Sequence, residues 1–363
     1  MTMLVKPRLQ EVRQAIGDSG ADALIITHLP NVFYVCGFSG SNAVLLLLDD
    51  AMHLFTDGRY TIQAHDQAPD ARVHITRIPL AEQCGEFLRA RSSRKGLRVA
   101  FEAASLNVGE WTRLKKSAGA RIRWKPTAGL VERIREIKSA EELDVMRQSA
   151  RVASEVVAEA PDFVRPGVSE MDVAAEIDYR LRRKGASASS FDTIVASGPR
   201  SALPHAQPSE KRLRKNELVV LDLGAILRHY CSDITRTIFL GRAPSRIRRW
   251  YKAVQEAQEA AHQALGAGVS AGSVDRAARR LLIHRGLGRY FVHGTGHGLG
   301  IEIHESPRIG RNQKPEVRAG CVVTLEPGIY VEGVGGIRLE DEVAVHANGT
   351  EVLTTAPRNL LEL

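Results

Sequence analysis

The chain has 363 residues, of which 44% are hydrophobic and 25% charged; that is ordinary for a soluble globular protein and enough for two domains with large cores. Its formal charge is +8, but the arginines and lysines are scattered in short groups (Arg89–Lys95, Arg121–Lys125, Arg246–Arg249), and aromatics make up only 5%, so no nucleic-acid-binding stripe is indicated. The longest apolar run, Ala43–Leu48, is far too short to span a membrane. The start MTMLVKPRLQEV turns polar too soon for a secretion signal, and Cys36, Cys84, Cys231 and Cys321 are isolated rather than paired as CxxC. A reduced, cytoplasmic protein with buried free thiols is expected.

In chain order, Arg8–Ser19 carries apolar residues at helical spacing, Ala23–Thr27 reads as a strand and NVFYVCGFSGSN as a loop. AVLLLLDD and AMHLFTDGRY read as paired strands turning at Asp49–Asp50. Val73–Ile78 and Arg98–Phe101 are short strands flanking a helix over Ala81–Arg91. This α/β layer ends near Pro126–Gly129, which sets expected domains at 1–126 and 127–363.

Beyond the boundary, Ser139 with Glu142 and Ser169 with Asp172 have the spacing of helix-start capping boxes. The first helix presents Leu143, Met146, Ala150, Ala153 and Val157 on one face; the second runs through Leu181. Further helices are expected over about Pro244–Leu265 and Val274–Arg285. Strands are expected at Thr193–Ala196, Leu218–Gly224, Tyr230–Leu240, Val322–Leu325, Ile329–Tyr330 and Asp341–Val345. VVLDLGA and VVTLEPGI both end an apolar strand on a carboxylate before a glycine-containing turn, a trace of internal pseudosymmetry.

These carboxylates set the chemistry. Asp222 stands among aliphatic residues, and Asp233 opens the apolar run ITRTIFL. Glu326 and Glu340 hold similar places further on, and His297 closes VHGTGH. A buried carboxylate costs several kcal/mol unless it is paired or ligates a metal. Oxygen donors with one imidazole suit hard or borderline divalent ions and hydrolytic chemistry.

LDLGAILRHYCSDITRT, FVHGTGHGLGIEIHESP, TLEPGIYVEG and GGIRLEDEV resemble the four active-site segments of the creatinase/methionine-aminopeptidase (pita-bread) family, within it the prolidase/aminopeptidase P branch. RLQEVRQAIGDSGADALIITHLPNVFYVCGFSGSN resembles that branch's creatinase-type N-terminal domain. The resemblance implies an α/β (α+β) chain: a creatinase-like domain followed by a pita-bread catalytic domain with pseudo-symmetric halves. It further implies two divalent ions, Mn2+ first with Co2+ or Zn2+ as options, held by Asp222, Asp233, His297, Glu326 and Glu340, with Asp233 and Glu340 bridging. Glu326 would also serve as general base.

By the same resemblance His205, His293 and His304 are non-ligand active-site histidines. Arg338 would balance the carboxylates, meet the substrate's C-terminal carboxylate, or do both. The implied reaction is hydrolysis of Xaa-Pro dipeptides by a metal-bridging hydroxide. The alternatives are an aminopeptidase P acting on longer X-Pro peptides, and a catalytically inactive binding protein on the same fold. A homodimer is the family's expectation, with no nucleic-acid or membrane partner. One departure stands out: Leu227 occupies a position where relatives carry tyrosine, and His229 one where they carry glycine, while Tyr230 is kept.

Overall fold

A computed structural model describes residues 5–92 and 96–363. The very start of the chain and the end of the basic group Arg89–Lys95 lie outside the described residues. The backbone divides after Arg135 into two compact units.

The first unit is built on a six-stranded sheet in the order Ala71–Thr76, Met52–Asp57, Val44–Leu48, Ala23–Ile26, Leu97–Glu102, Ile122–Thr127. Val44–Leu48 runs antiparallel to both neighbours, and the other pairings are parallel. Ala23–Ile26 and Val44–Leu48 are buried throughout, which is why they read as unbroken apolar runs rather than alternating ones. Helices Leu80–Arg91 and Val108–Ala118 cover one face through Cys84, Leu88 and Leu114. Each fully buried leucine there contributes roughly 1.5–3 kcal/mol.

The loop expected at NVFYVCGFSGSN is instead a helix over Leu29–Cys36, with Pro30 in its first turn. It stops at Gly37, whose φ of 83° is the left-handed end conformation that glycine adopts without strain. Asn31 through Cys36 are all buried, so the segment lacks the polar face that marks a helix in a sequence.

The second unit has two layered halves. In the first, helices Ala140–Ala158 and Glu170–Arg183 bury Val156, Ile177 and Leu181 against a sheet ordered Leu361–Glu362, Ile234–Leu240, Glu217–Leu223, Ile194–Ser197. Both helices begin with complete capping boxes, Ser139 with Glu142 and Ser169 with Asp172. In the second half, helices Ser245–Ala264 and Ala271–His284 pack Val254, Ala257 and Leu282 on a sheet ordered Glu305–Ile309, Gly296–Gly298, Val322–Leu325, Asp341–His346, Gly349–Val352. The single strand expected over Tyr230–Leu240 breaks into Tyr230–Cys231 and Ile234–Leu240, which leaves Asp233 at the break. Among the described residues no helix is long and apolar enough to cross a membrane, and all four cysteines are buried and free.

Candidate active site

Each half contributes an antiparallel strand pair with a carboxylate at each end of its connection. Glu217–Leu223 carries Asp222, and its partner strand Ile234–Leu240 starts just after Asp233. Val322–Leu325 is followed at once by Glu326, and its partner Asp341–His346 starts just after Glu340. Val219, Leu221 and Leu223 point into the first half's core, so strand alternation turns Asp222 to the opposite face. Its cross-strand partner is Thr235.

The four carboxylates converge. Asp233, His297 and Glu340 each present a ligand atom, all within 4.8 Å of one another. His297 Nε2 lies 3.5 Å from Asp233 Oδ2 and 3.8 Å from Glu326 Oε1. His297 Nδ1 is 3.0 Å from the Gly298 carbonyl. That oxygen only accepts, so Nδ1 carries the proton and the Nε2 lone pair faces the acids, the tautomer a metal ligand needs. The ring has its place because Gly296 passes Thr324 closely: a Cβ at Gly296 would sit 1.9 Å from the Thr324 carbonyl oxygen. Thr324 Oγ1 also accepts the His297 N–H at 3.1 Å.

Burial of like charges leaves its mark on titration. Burial first, then the Glu340, Asp222 and Glu326 carboxylates, raise the Asp233 carboxyl well above the usual range. Glu340 is raised in the same way, by burial and then by Glu326 and Asp222. Burial pushes Glu326 up to about 7; the Arg338 cation opposes this and Asp222 adds to it. Burial depresses His297 to about 4, so its ring is neutral near pH 7. Asp222 Oδ1 is buried without a hydrogen-bond partner. An acid cluster with such an orphaned oxygen and a presented imidazole lone pair fits divalent cations, which satisfy both.

Residues from each half brace the other's acids. Thr235 Oγ1 donates to Glu340 Oε2 at 2.6 Å and accepts from Arg338 Nε at 3.1 Å. The Glu340 N–H donates to the Thr235 carbonyl, and the Asp233 N–H to Glu342 Oε1. Arg338 and Glu340 do not share a continuous strand, since the strand Gly335–Arg338 ends between them; both nevertheless meet at Thr235. Arg338 Nη2 binds Asp222 Oδ2 at 2.5 Å, and Nη1 binds the Tyr330 hydroxyl at 2.8 Å and the Pro204 carbonyl at 3.1 Å. Most of its donors are therefore spent inside the protein.

A cavity of about 390 Å³ opens over this cluster, and its wall includes His205, His293, His304, Glu305, Arg308 and Arg338. The His293 ring is engaged at both nitrogens. Nδ1 donates to the Gly294 carbonyl at 2.7 Å, and Nε2 accepts from the Tyr330 hydroxyl at 2.9 Å. His205 and His304 are exposed on the wall, with His304 edge-on to His297 at 4.4 Å between ring centroids.

Three residues at the site carried no clear sequence signal of their own. Tyr330 lies inside the quoted TLEPGIY but is apolar-looking in a short strand. Thr235 and Arg308 are one threonine and one arginine among many. Arg308 alternates with buried Pro307 and Ile309, a pattern that does signal an outward-facing side chain.

The departure at Leu227 and His229 also finds its place. Leu227 pairs with Tyr230 across a two-residue turn made by Arg228 and His229, with φ of 48° and 72°. Such turns need left-handed backbone at both positions, which His229 adopts here and which glycine would adopt without strain. Leu227 is not among the residues that line the cavity. The Tyr230 hydroxyl donates to Glu142 Oε1 at 2.7 Å.

Residues 144–347 match the model of metallopeptidase family M24, and residues 8–137 that of the creatinase/prolidase N-terminal domain. An Xaa-Pro dipeptidase of Pyrococcus horikoshii is 34% identical, over 99% of this chain and 99% of its own. A solved Xaa-Pro dipeptidase of Bacillus anthracis superposes with a TM-score of 0.93 at 35% identity, covering 99% of this chain and 100% of that one. A solved X-Pro aminopeptidase of Thermotoga maritima superposes at 0.90 and 32% identity, covering 98% and 99%. The chain belongs to metallopeptidase family M24, as a metal-dependent hydrolase of two α/β units with the creatinase-type domain first and the pita-bread domain second.

Proposed function

We propose that this protein hydrolyses Xaa-Pro dipeptides, with Asp222, Asp233, His297, Glu326 and Glu340 holding two divalent ions, Mn2+ in the first place and Co2+ or Zn2+ as alternatives. The observation that carries the reading is the convergence of Asp233, His297 and Glu340 ligand atoms within 4.8 Å, next to a cavity lined by His297, Asp222 and Glu326. The donor chemistry, the Asp222 orphan oxygen and the His297 tautomer all favour it. Asp233 and Glu340, each just before the start of its strand, would be the ligands common to both ions.

Bound divalent ions supply Lewis acidity and make water nucleophilic near neutral pH. The chain's own groups do the rest. Glu326 accepts the proton of the attacking water at a carboxylate oxygen and returns it to the proline nitrogen as the bond breaks. As in any amide, the nitrogen leaves as an amine only once a proton has been delivered to it. His205 and His304, open to the cavity, donate to the carbonyl oxygen and contact the proline side. Arg338 holds Asp222 and orients the Tyr330 hydroxyl toward His293, so its service is positional. Arg308 is exposed on the cavity wall and offers its guanidinium fork to the substrate's C-terminal carboxylate.

A second reading, release of the N-terminal residue from longer X-Pro peptides, draws on the likeness to the Thermotoga maritima enzyme. Cleavage of Ala-Pro, Ala-Pro-Ala and longer X-Pro peptides with added Mn2+ separates the two. Turnover confined to Ala-Pro is expected. Preference for the longer peptides would install the second reading, and no cleavage of any peptide in the metal-loaded protein would overturn both. A cytoplasmic homodimer is part of this proposal, and gel filtration against light scattering tests the dimer.

A further inference from the structure

His205 sits on the loop that leaves the strand Ile194–Ser197 and returns at Ser209. Both feet of this loop meet one carboxylate, Glu170, the first residue of the helix Glu170–Arg183. Glu170 Oε1 accepts the Ser197 N–H and the Ser197 hydroxyl, each at 2.8 Å. Oε2 accepts the Ser209 N–H at 3.2 Å, the Ser209 hydroxyl at 2.6 Å and Arg200 Nε at 3.0 Å. The Glu170 side chain is 0% exposed, so its carboxylate depends on these protein donors.

A buried carboxylate with five donors lies at the strong end of hydrogen bonding and is costly to disturb. Its two oxygens face different strands of the loop, so the side chain works as a clip that fixes the separation of the feet. Between the feet, the loop touches the metal-binding floor. The Pro204 carbonyl accepts from Arg338 Nη1 at 3.1 Å, and Ser201 Oγ accepts the Gly336 N–H at 2.8 Å. That approach requires a glycine, since a Cβ at Gly336 would meet the Ser201 carbonyl oxygen at 2.1 Å. Ala206, next to His205, is buried with Ile194 and Ala196. The His205 backbone is thus held on both sides while its ring stays exposed at the cavity.

We infer that Glu170 is a positioning residue for the reaction: it closes the loop that carries His205 and thereby sets where that imidazole meets the substrate. The inference rests on the role proposed above for His205. Glu170 makes no contact with the acid cluster, so its loss acts on the histidine and leaves the metals in place.

The test is a double-mutant cycle on the metal-loaded full chain with Ala-Pro as substrate. Glu170→Gln keeps the shape but replaces one acceptor oxygen by a donor, which faces a foot N–H. It is expected to lower kcat/KM about tenfold, mainly in kcat, because a small misplacement of a group that meets the transition state is costly. Metal content should match the wild type. Ser209→Ala, which removes the hydroxyl bond at one foot and keeps the backbone one, should give a smaller loss of the same kind. In a His205→Ala background, Glu170→Gln should cost nothing further.

Full additivity of the two substitutions, or metal loss in Glu170→Gln, would overturn the positioning role. An unchanged kcat/KM in His205→Ala would instead overturn the role given to His205. If Glu170→Gln fails to fold, the cycle is run with Ser209→Ala, and additivity there overturns the inference equally.

Discussion

Glu102, buried, and Glu326, half-buried, are both glutamates that follow or end a strand, yet they live in opposite surroundings. Glu102, in the first unit, accepts the Thr27 and His28 N–H groups at 2.8 Å each, the Asn31 amide at 2.6 Å and the Ser105 hydroxyl at 3.2 Å. Burial raises its carboxyl, but these donors oppose the shift. Glu326, in the second unit, faces other carboxylates and one arginine, and burial carries it up to about 7. The first arrangement is complete without help and holds strand ends to a helix. The second is an assembly of mutually repelling acids, the arrangement that the proposed metal site requires.

The largest test of that contrast is to remove the acid at its centre. Asp233→Ala is expected to abolish hydrolysis, a loss of about a thousandfold or more, and to lower bound metal as read by elemental analysis. Full activity with full metal content would mean that Asp233 does not bridge, and that the acid cluster is a structural core after all.

Much of this was legible from the residues. The capping boxes at Ser139 and Ser169 depend on two residues three apart, and they stand as read. The acids betrayed themselves by sitting in apolar strands, a placement with few explanations. The helix over Leu29–Cys36 was hidden because burial on all sides erases periodicity. Arg338 was open between two roles in the sequence. Its partners Asp222 and Pro204 are remote in sequence, and only the fold shows that most of its donors are taken. Glu170 belongs to the same class: an ordinary charge whose partners Ser197, Arg200 and Ser209 are remote in sequence.

The next test, smaller in effect, separates the two arginines. Arg308→Ala should raise KM for free Ala-Pro about ten- to hundredfold, the worth of a charge-assisted hydrogen bond, and change the C-terminal amide of that dipeptide little. Arg338→Ala should depress both substrates alike, because it disturbs Asp222 and Tyr330 whichever ligand is bound. A selective loss on the free acid in Arg338→Ala would return the carboxylate contact to Arg338.

The smallest expected effects are on stability, and there the two glutamate environments should give opposite signs. Glu102→Gln turns an amide N–H toward the N–H groups of Thr27 and His28 and should destabilise the first unit by about 1–3 kcal/mol, seen as a lower Tm. Asp233→Asn removes one of several repelling charges and should raise the Tm of the metal-free chain at pH 8. The pH dependence follows from the same cause. A carboxyl raised from 4.5 to about 7 contributes stability that is fully present below 4.5 and lost as pH rises through 7. His297, depressed to about 4, needs no deprotonation above pH 7. Saturating Mn2+ replaces the protons on the acids, so the gap in Tm between metal-loaded and metal-free protein should widen steadily from pH 5 to pH 8. The first unit's buried His53, also depressed to about 4 by burial, contributes equally to both forms and cancels in that difference. A gap that is flat with pH would mean that the acids are already satisfied without cations, as Glu102 is, and the distinction between scaffold and site would collapse.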